Sequence, residues 1–379
     1  MTDYPMELDD LAGRHPAECQ RLATVFDDTT NSYKLFWFLA LLSRLPESPD
    51  TPIPVEDLVL EMHVQAWHPV TLFRLSLGVQ DKLQESVGAA RRASPLRTAA
   101  PLDDVRRDAA LVDAAAGTDL ARYVPFRFLS PWFADELRGV KDAARNGQIR
   151  EASVRYSGSS RASPYSLPEQ PDRRGVVLLD RRWHAFLSEN RGILEGFARH
   201  RLVSYLQARN PGVPGIVDKL DPPLSRDLSR ARRFWNGTLG YLRENGHDLR
   251  DPFSGARLEE SFSIDHYLPW SFVAHDLGWN LCPVNRSTNS CKCDSVPDLD
   301  RYLPRFAEVH HRALAIDRGN DRFLQDHCEA FRLDLETTRA LSLERLVVRL
   351  GNVMAPQVQI AKNLGFTTGW VYTPGEAGR

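Results

Sequence analysis

Residues 263–297 read SIDHYLPWSFVAHDLGWNLCPVNRSTNSCKCDSVP, and the spacing of polar groups in this stretch decides the fold. Asp265 and His266 are adjacent, Asn280 follows fourteen positions after His266, and Asn289 precedes Lys292 by three. Ser263 to Asp265 alternates as a short strand does and Leu268-Pro269 ends it. Trp279-Asn280-Leu281-Cys282 reads as a second short strand before Pro283. Arg286 to Cys293 lacks Gly and Pro and can make about two helical turns, on which Asn289 and Lys292 share one face.

If that face closes on the first strand, the side chains of Asp265 and Asn289 converge. Two oxygen ligands with positions left open suit one magnesium or manganese ion, which keeps several waters and takes its other ligands from a phosphate. An unperturbed imidazole has a pKa of about 6.5, so a neutral His266 could take a proton from the attacking water at cellular pH. The metal would offset charge on the phosphate and on the departing oxygen. Lys292, a flexible point charge, is expected against a phosphate oxygen. Asn280 is better suited to bridging backbone groups, and so to fixing the loop that carries the base, than to chemistry of its own.

The order Asp-His, Asn-Leu, Asn-x-x-Lys resembles the HNH endonuclease (ββα-metal) family, and Asp294-Ser295-Val296-Pro297 is similar to the HNH domain of the RNA-guided CRISPR effector nuclease. The resemblance implies Asp265 and Asn289 as metal ligands, His266 as general base and Asn280 as the loop-holding residue. The third motif residue is Asn289 where many members have His, a known substitution that bears on metal preference. Many HNH proteins also carry two Cys-x-x-Cys pairs for a structural zinc. Here Asp251-Pro252-Phe253-Ser254-Gly255 replaces the first pair, and Cys282, Cys291 and Cys293 alone would need a distant fourth ligand. Small buried cysteines are expected instead.

The five cysteines of the 379-residue chain show no disulfide spacing. With 42% hydrophobic and 26% charged residues, the composition is that of a globular protein of two or three domains. The longest apolar run, Leu35 to Leu42, is far short of the roughly 18 residues of a membrane span. The opening MTDYPMELDD lacks the plan of a signal peptide, so a cytoplasmic location is expected. A net charge of −2 argues against a broadly basic DNA-binding surface, so contact with DNA must be local or shared with a protein partner. From Lys219 to Arg257, eight Lys or Arg stand against five Asp or Glu, and Arg226, Arg230 and Arg233 at i, i+4, i+7 are the candidate nucleic-acid contacts. A solvated helix face is the competing reading.

The rest of the chain reads as helices. Tyr33 to Leu45, with Thr29-Thr30-Asn31-Ser32 expected to cap it, is apolar on nearly every side, and such a helix is buried. Val55, Leu58, Val59, Met62 and Ala66 follow helical spacing, and His63 and His68, five apart, do not share a face. Ser157 to Pro171 reads as a linker and Val176 to Leu179 as a strand; Trp183 to Arg209 reads as one helix. Leu299 to Leu350 reads as helical with Gly351 as its C-cap, His310-His311 as a surface pair, and the last fifteen residues as loosely held. NSYKLFWFLALL and YLQARNP resemble segments that accompany HNH domains in bacterial proteins, some of them suspected of phage defence.

These readings describe a mainly α (α+β) protein: a helical chain with an embedded ββα-metal module. The expected division is 1–155 helical, 156–175 linker, 176–244 helical with a basic stripe, 245–300 nuclease module and 301–379 helical. The expected function is metal-dependent hydrolysis of DNA phosphodiester bonds, with a role in phage defence. Two alternatives from other classes stay open, a nucleic-acid-binding module that does not cut and a nuclease subunit active only with a partner.

Overall fold

The apolar run Leu35 to Leu42 forms the middle of helix α1, Tyr33–Ser43, in a computed structural model that describes residues 16–27, 29–168, 175–222, 226–316 and 321–374. All eight residues of the run are buried, as expected of a helix without a polar face. Helix α2, Val55–Trp67, helix α3, Lys82–Ala93, and helices α4, Arg181–Glu189, and α5, Arg191–Arg209, lie in the same compact unit, Met1–Pro211, with α2 and α5 packed on α1. Strands β1, Ile53–Pro54, and β2, Tyr165–Ser166, both pair antiparallel with β3, Val176–Leu179, which lies between them. Trp37 Nε1 donates to Tyr165 Oη at 2.9 Å, and Tyr165 Oη donates to the Pro125 carbonyl at 2.7 Å, so the fully buried phenol ties α1 to the sheet and to the chain at Pro125.

This arrangement corrects the expected division. Residues 156–168 do not link two bodies: Tyr165 and Ser166 are buried strand residues, and β3 from the expected second region completes a sheet with β1 from the first. The expected linker residues 169–171 lie outside the described residues. Compact units part after Pro211 instead. The single helix expected over Trp183–Arg209 is interrupted at Asn190, whose backbone leaves helical geometry (φ −110°, ψ 14°) and whose amide donates to the Phe186 carbonyl at 2.8 Å. His63 and His68 are buried core histidines bonded to Val59 and Ser86 and to Ala100.

The second unit, Gly212–Arg379, is built on one core whose buried residues run from Ala231 to Phe366. Helix α6, Ser229–Glu244, supplies Phe234 and Trp235; strands β4, Ser263–His266, and β5, Leu281–Val284, supply Ile264 and Leu281. Helix α7, Arg286–Lys292, follows β5. Beyond it come β6, Val296–Pro297, α8, Leu299–Leu314, α9, Arg322–Phe331, α10, Leu343–Asn363, and β7, Thr368–Trp370. The flanks expected as separate helical regions therefore share the core of the ββα segment.

Three local expectations change for packing reasons. Helix α10 runs through Gly351 instead of ending there; a Cβ at that position would meet Leu303 Cδ2 at 3.3 Å, so glycine serves the close approach of α8. His310 is buried, not superficial, with its Nδ1 2.9 Å from His327 Nε2. The chain end is held as far as β7, which pairs parallel with β6 and sets Trp370 against Phe253 and Tyr302.

Because β3 needs β1 and β2, a chain beginning at Gly175 exposes its apolar strand and the inner faces of α4 and α5, whereas one beginning at Gly212 retains a complete core. The Gly212 fragment should melt cooperatively and run as a monomer by size exclusion, and the Gly175 fragment should aggregate. Equal behaviour of the two would contradict this boundary.

Candidate active site

Alternation along β4 leaves Ser263 and Asp265 half-buried and turns Ile264 and His266 inward. The antiparallel register sets Asp265 opposite Cys282 and His266 opposite Leu281. The second strand starts at Leu281, two residues later than the pattern suggests, because Trp279 and Asn280 belong to a tight turn that enters it. Between the strands runs a loop with one helical turn, Trp270–Val273, closed by Ala274 in left-handed geometry (φ 56°).

Asn280, with no exposed surface, closes that loop. Its Oδ1 accepts from the Leu268 N–H at 2.8 Å, its Nδ2 donates to the Leu268 carbonyl at 2.9 Å, and its own carbonyl accepts from the Tyr267 N–H at 2.8 Å. One side chain thus replaces a strand rung where the backbones have separated. The loop is backed from α9: Asp326 Oδ2 accepts from the Gly278 N–H at 2.7 Å, and a Cβ on Gly278 would lie 2.6 Å from the Phe323 carbonyl oxygen.

Helix α7 packs on β4 through Lys292. The Lys292 ammonium, wholly buried, lies 3.0 Å from Asp265 Oδ2, yet the alignment makes no hydrogen bond, and both atoms are buried without a hydrogen-bond partner. Asp265 Oδ1 accepts from the His266 N–H at 2.8 Å. Lys292 was expected against a phosphate oxygen; burial against Asp265 makes it the neutralising partner of that carboxylate instead. Asn289, half-buried and one turn earlier on α7, shares the face that carries Lys292 to β4.

The N-terminus of α7 is held by a clip of side-chain hydrogen bonds. Asp251, with no exposed surface, accepts from the Phe253 and Ser254 N–H groups on Oδ1 and from the Asn285 N–H on Oδ2 at 2.9 Å. Asn285 accepts from the Glu259 N–H and donates to the Arg257 carbonyl. Asp251 and Asn285 carry no motif signal that separates them from ordinary turn residues.

His266 is buried and its Nε2 lies 2.7 Å from Asp276 Oδ1, a residue that the sequence reading passed over. Its neighbour His275 is pushed down to about 4, first by burial and then by His266 nearby. Among the described residues no three of His, Cys, Asp and Glu come together to hold a metal ion. The oxygens that could serve a cation here are the Asp265 carboxylate, whose Oδ2 lacks a hydrogen bond, and the Asn289 amide, hard donors in a number that leaves room for water and phosphate.

The three arginines do not form one stripe. Arg226 precedes α6 and its guanidinium lies 5.2 Å from the centre of the Trp270 ring; Arg230 pairs with buried Asp326 at 2.8 Å; Arg233 is exposed. Helical spacing failed because the chain is not yet helical at Arg226.

Residues 251–298 match the family model described as HNH endonuclease, a span that contains Asp265, His266, Asn280, Asn289 and Lys292. Nothing among curated proteins and nothing among solved structures matches the chain. An HNH domain implies nuclease activity on a nucleic acid, and nucleases of this family typically use a divalent metal ion. No helix among the described residues is long and apolar enough to cross a membrane.

Asn280→Ala leaves the Leu268 N–H and carbonyl unpaired in the core, which costs about 1–3 kcal/mol for each group. Gly278→Ala forces a Cβ into the Phe323 carbonyl and should cost about 1–3 kcal/mol. Urea denaturation of each variant measures both, and losses under about 0.5 kcal/mol, the size of ordinary surface changes, would contradict this loop geometry.

Proposed function

We propose that the chain is a metal-dependent endonuclease that hydrolyses DNA phosphodiester bonds, using one magnesium or manganese ion. The observation that supports this most is the closure of α7 on β4, which brings the face of Asn289 and Lys292 to an Asp265 oxygen that no hydrogen bond satisfies. Asp265 and Asn289 would hold the cation, which supplies positive charge to the phosphate being cut and to its leaving oxygen. Lys292, an ammonium without exposed surface 3.0 Å from Asp265 Oδ2, offsets the charge of that carboxylate and aims it within a buried site. His266 takes the proton of the attacking water. Asn280 fixes the start of the loop that follows His266.

DNA would be followed along its backbone by the exposed Arg226 and Arg233, whereas Arg230 serves the fold through Asp326. The near-neutral net charge supports a second reading in which a protein partner completes the DNA surface and gates cutting. The resemblance of NSYKLFWFLALL and YLQARNP to segments found beside HNH domains supports a place in bacterial phage defence.

Purified full-length protein with supercoiled plasmid tests the proposal. Nicked or linear product should form with magnesium or manganese, and His266→Ala should slow it about 10²- to 10⁴-fold while retaining DNA binding. Asn289→His should move the preference from magnesium toward manganese or nickel, and Asn289→Ala should lose cutting with all of them. Equal magnesium-dependent rates in all four proteins would remove these residues from the site. Replacing Arg226 and Arg233 together by Ala should lower the slope of log affinity against log salt by about two; an unchanged slope would return them to a solvated surface.

A further inference from the structure

An imidazole that accepts a proton must present an unprotonated nitrogen, and the group bonded to the other nitrogen decides which one that is. His266 Nε2 lies 2.7 Å from Asp276 Oδ1, within hydrogen-bond reach of an ionised carboxylate, which can only accept. The hydrogen therefore belongs on Nε2, and Nδ1 keeps its lone pair.

We propose that Asp276 is a positioning residue that fixes the Nε2–H form of His266 and aims Nδ1 at the water that attacks phosphorus. This rests on the nuclease reading above. In the step it serves, a water proton passes to Nδ1 as the water oxygen bonds to phosphorus. The P–O bond to the leaving oxygen breaks, that oxygen takes a proton from solvent, and His266 later returns its own.

Several features of the loop suit this role. His266 has 4% of its side chain exposed and Asp276 30%, so the imidazole cannot readily swap Asp276 for water on Nε2. The backbone is pinned on both sides of Asp276. Before it, the Ala274 N–H donates to the Trp270 carbonyl at 2.8 Å; after it, Gly278 is held by Asp326 and Asn280 by Leu268. The segment is backed as well, because a Cβ on Gly215 would meet the Val273 carbonyl at 3.0 Å. The other histidine of the loop, His275, is held neutral by burial and so does not compete as a cation for the Asp276 carboxylate.

The test uses full-length protein labelled with ¹⁵N, its His266 ring signals assigned by their loss in His266→Gln, with Asp276→Ala, Asp276→Asn and Asp276→Glu as variants. Wild type and Asp276→Glu should show a protonated Nε2 and a bare Nδ1. Asp276→Ala and Asp276→Asn should show a mixture of the two forms, since an amide can also donate to Nε2. On plasmid DNA, Asp276→Ala should lower kcat at least about tenfold, with KM within about twofold and an unchanged circular dichroism spectrum. Asp276→Glu should recover most of the rate. A wild-type His266 protonated on Nδ1, or an Asp276→Ala protein with wild-type kcat, would overturn the proposal. If wild type cuts no nucleic acid with any metal, the nuclease reading fails, and the ring spectra still decide whether Asp276 sets the form of His266.

Discussion

Two hydrogen bonds from the buried amide of Asn280 to the peptide groups of Leu268 close the loop between β4 and β5, and most of the site depends on that closure. The strands pair over only four residues each, too few to fix the intervening chain by themselves. With the amide in place, the loop returns to β5 at a defined point, and Asp276 meets His266 within it. Helix α9 supports the same loop from outside, through Asp326 on the Gly278 N–H and through a contact so close that only glycine fits against Phe323.

The second constraint is electrostatic. A buried ammonium and a nearly buried carboxylate are each costly to remove from water, and they are tolerated here because they neutralise each other at 3.0 Å. Their poor alignment leaves the carboxylate oxygen without a hydrogen bond, the feature on which the proposed cation site rests. The Asp251–Asn285 clip fixes the other end of α7, so the short helix is held just before its first residue by side-chain hydrogen bonds and at its last by charge. Many proteins resembling this module use zinc for such support; here two side chains and five backbone groups supply it.

Much of the ββα segment was legible because its signals are local. Alternation marked β4, the run without Gly or Pro marked α7, and the order of Asp265, His266, Asn280, Asn289 and Lys292 pointed to the family model later matched. The burial of Lys292 was not legible, since spacing gives a helical face but not the depth at which that face packs. Asp276, Asp326 and Asp251 act through partners ten, ninety-six and thirty-four residues away, and no periodicity encodes such pairs. The same limit explains Arg230, which looked like one member of a basic stripe until Asp326 claimed it, and the sheet of β1, β2 and β3, whose strands come from distant segments.

Manganese binding to the full-length chain, followed by the paramagnetic resonance of the free ion, tests most directly whether α7 and β4 together make one cation site. Wild type should bind a single ion, Asp265→Asn should lose it, and Asn289→Ala should bind it more weakly. Undiminished binding by Asp265→Asn would contradict the account, because the carboxylate held by Lys292 would then not be the ligand on which the site is built.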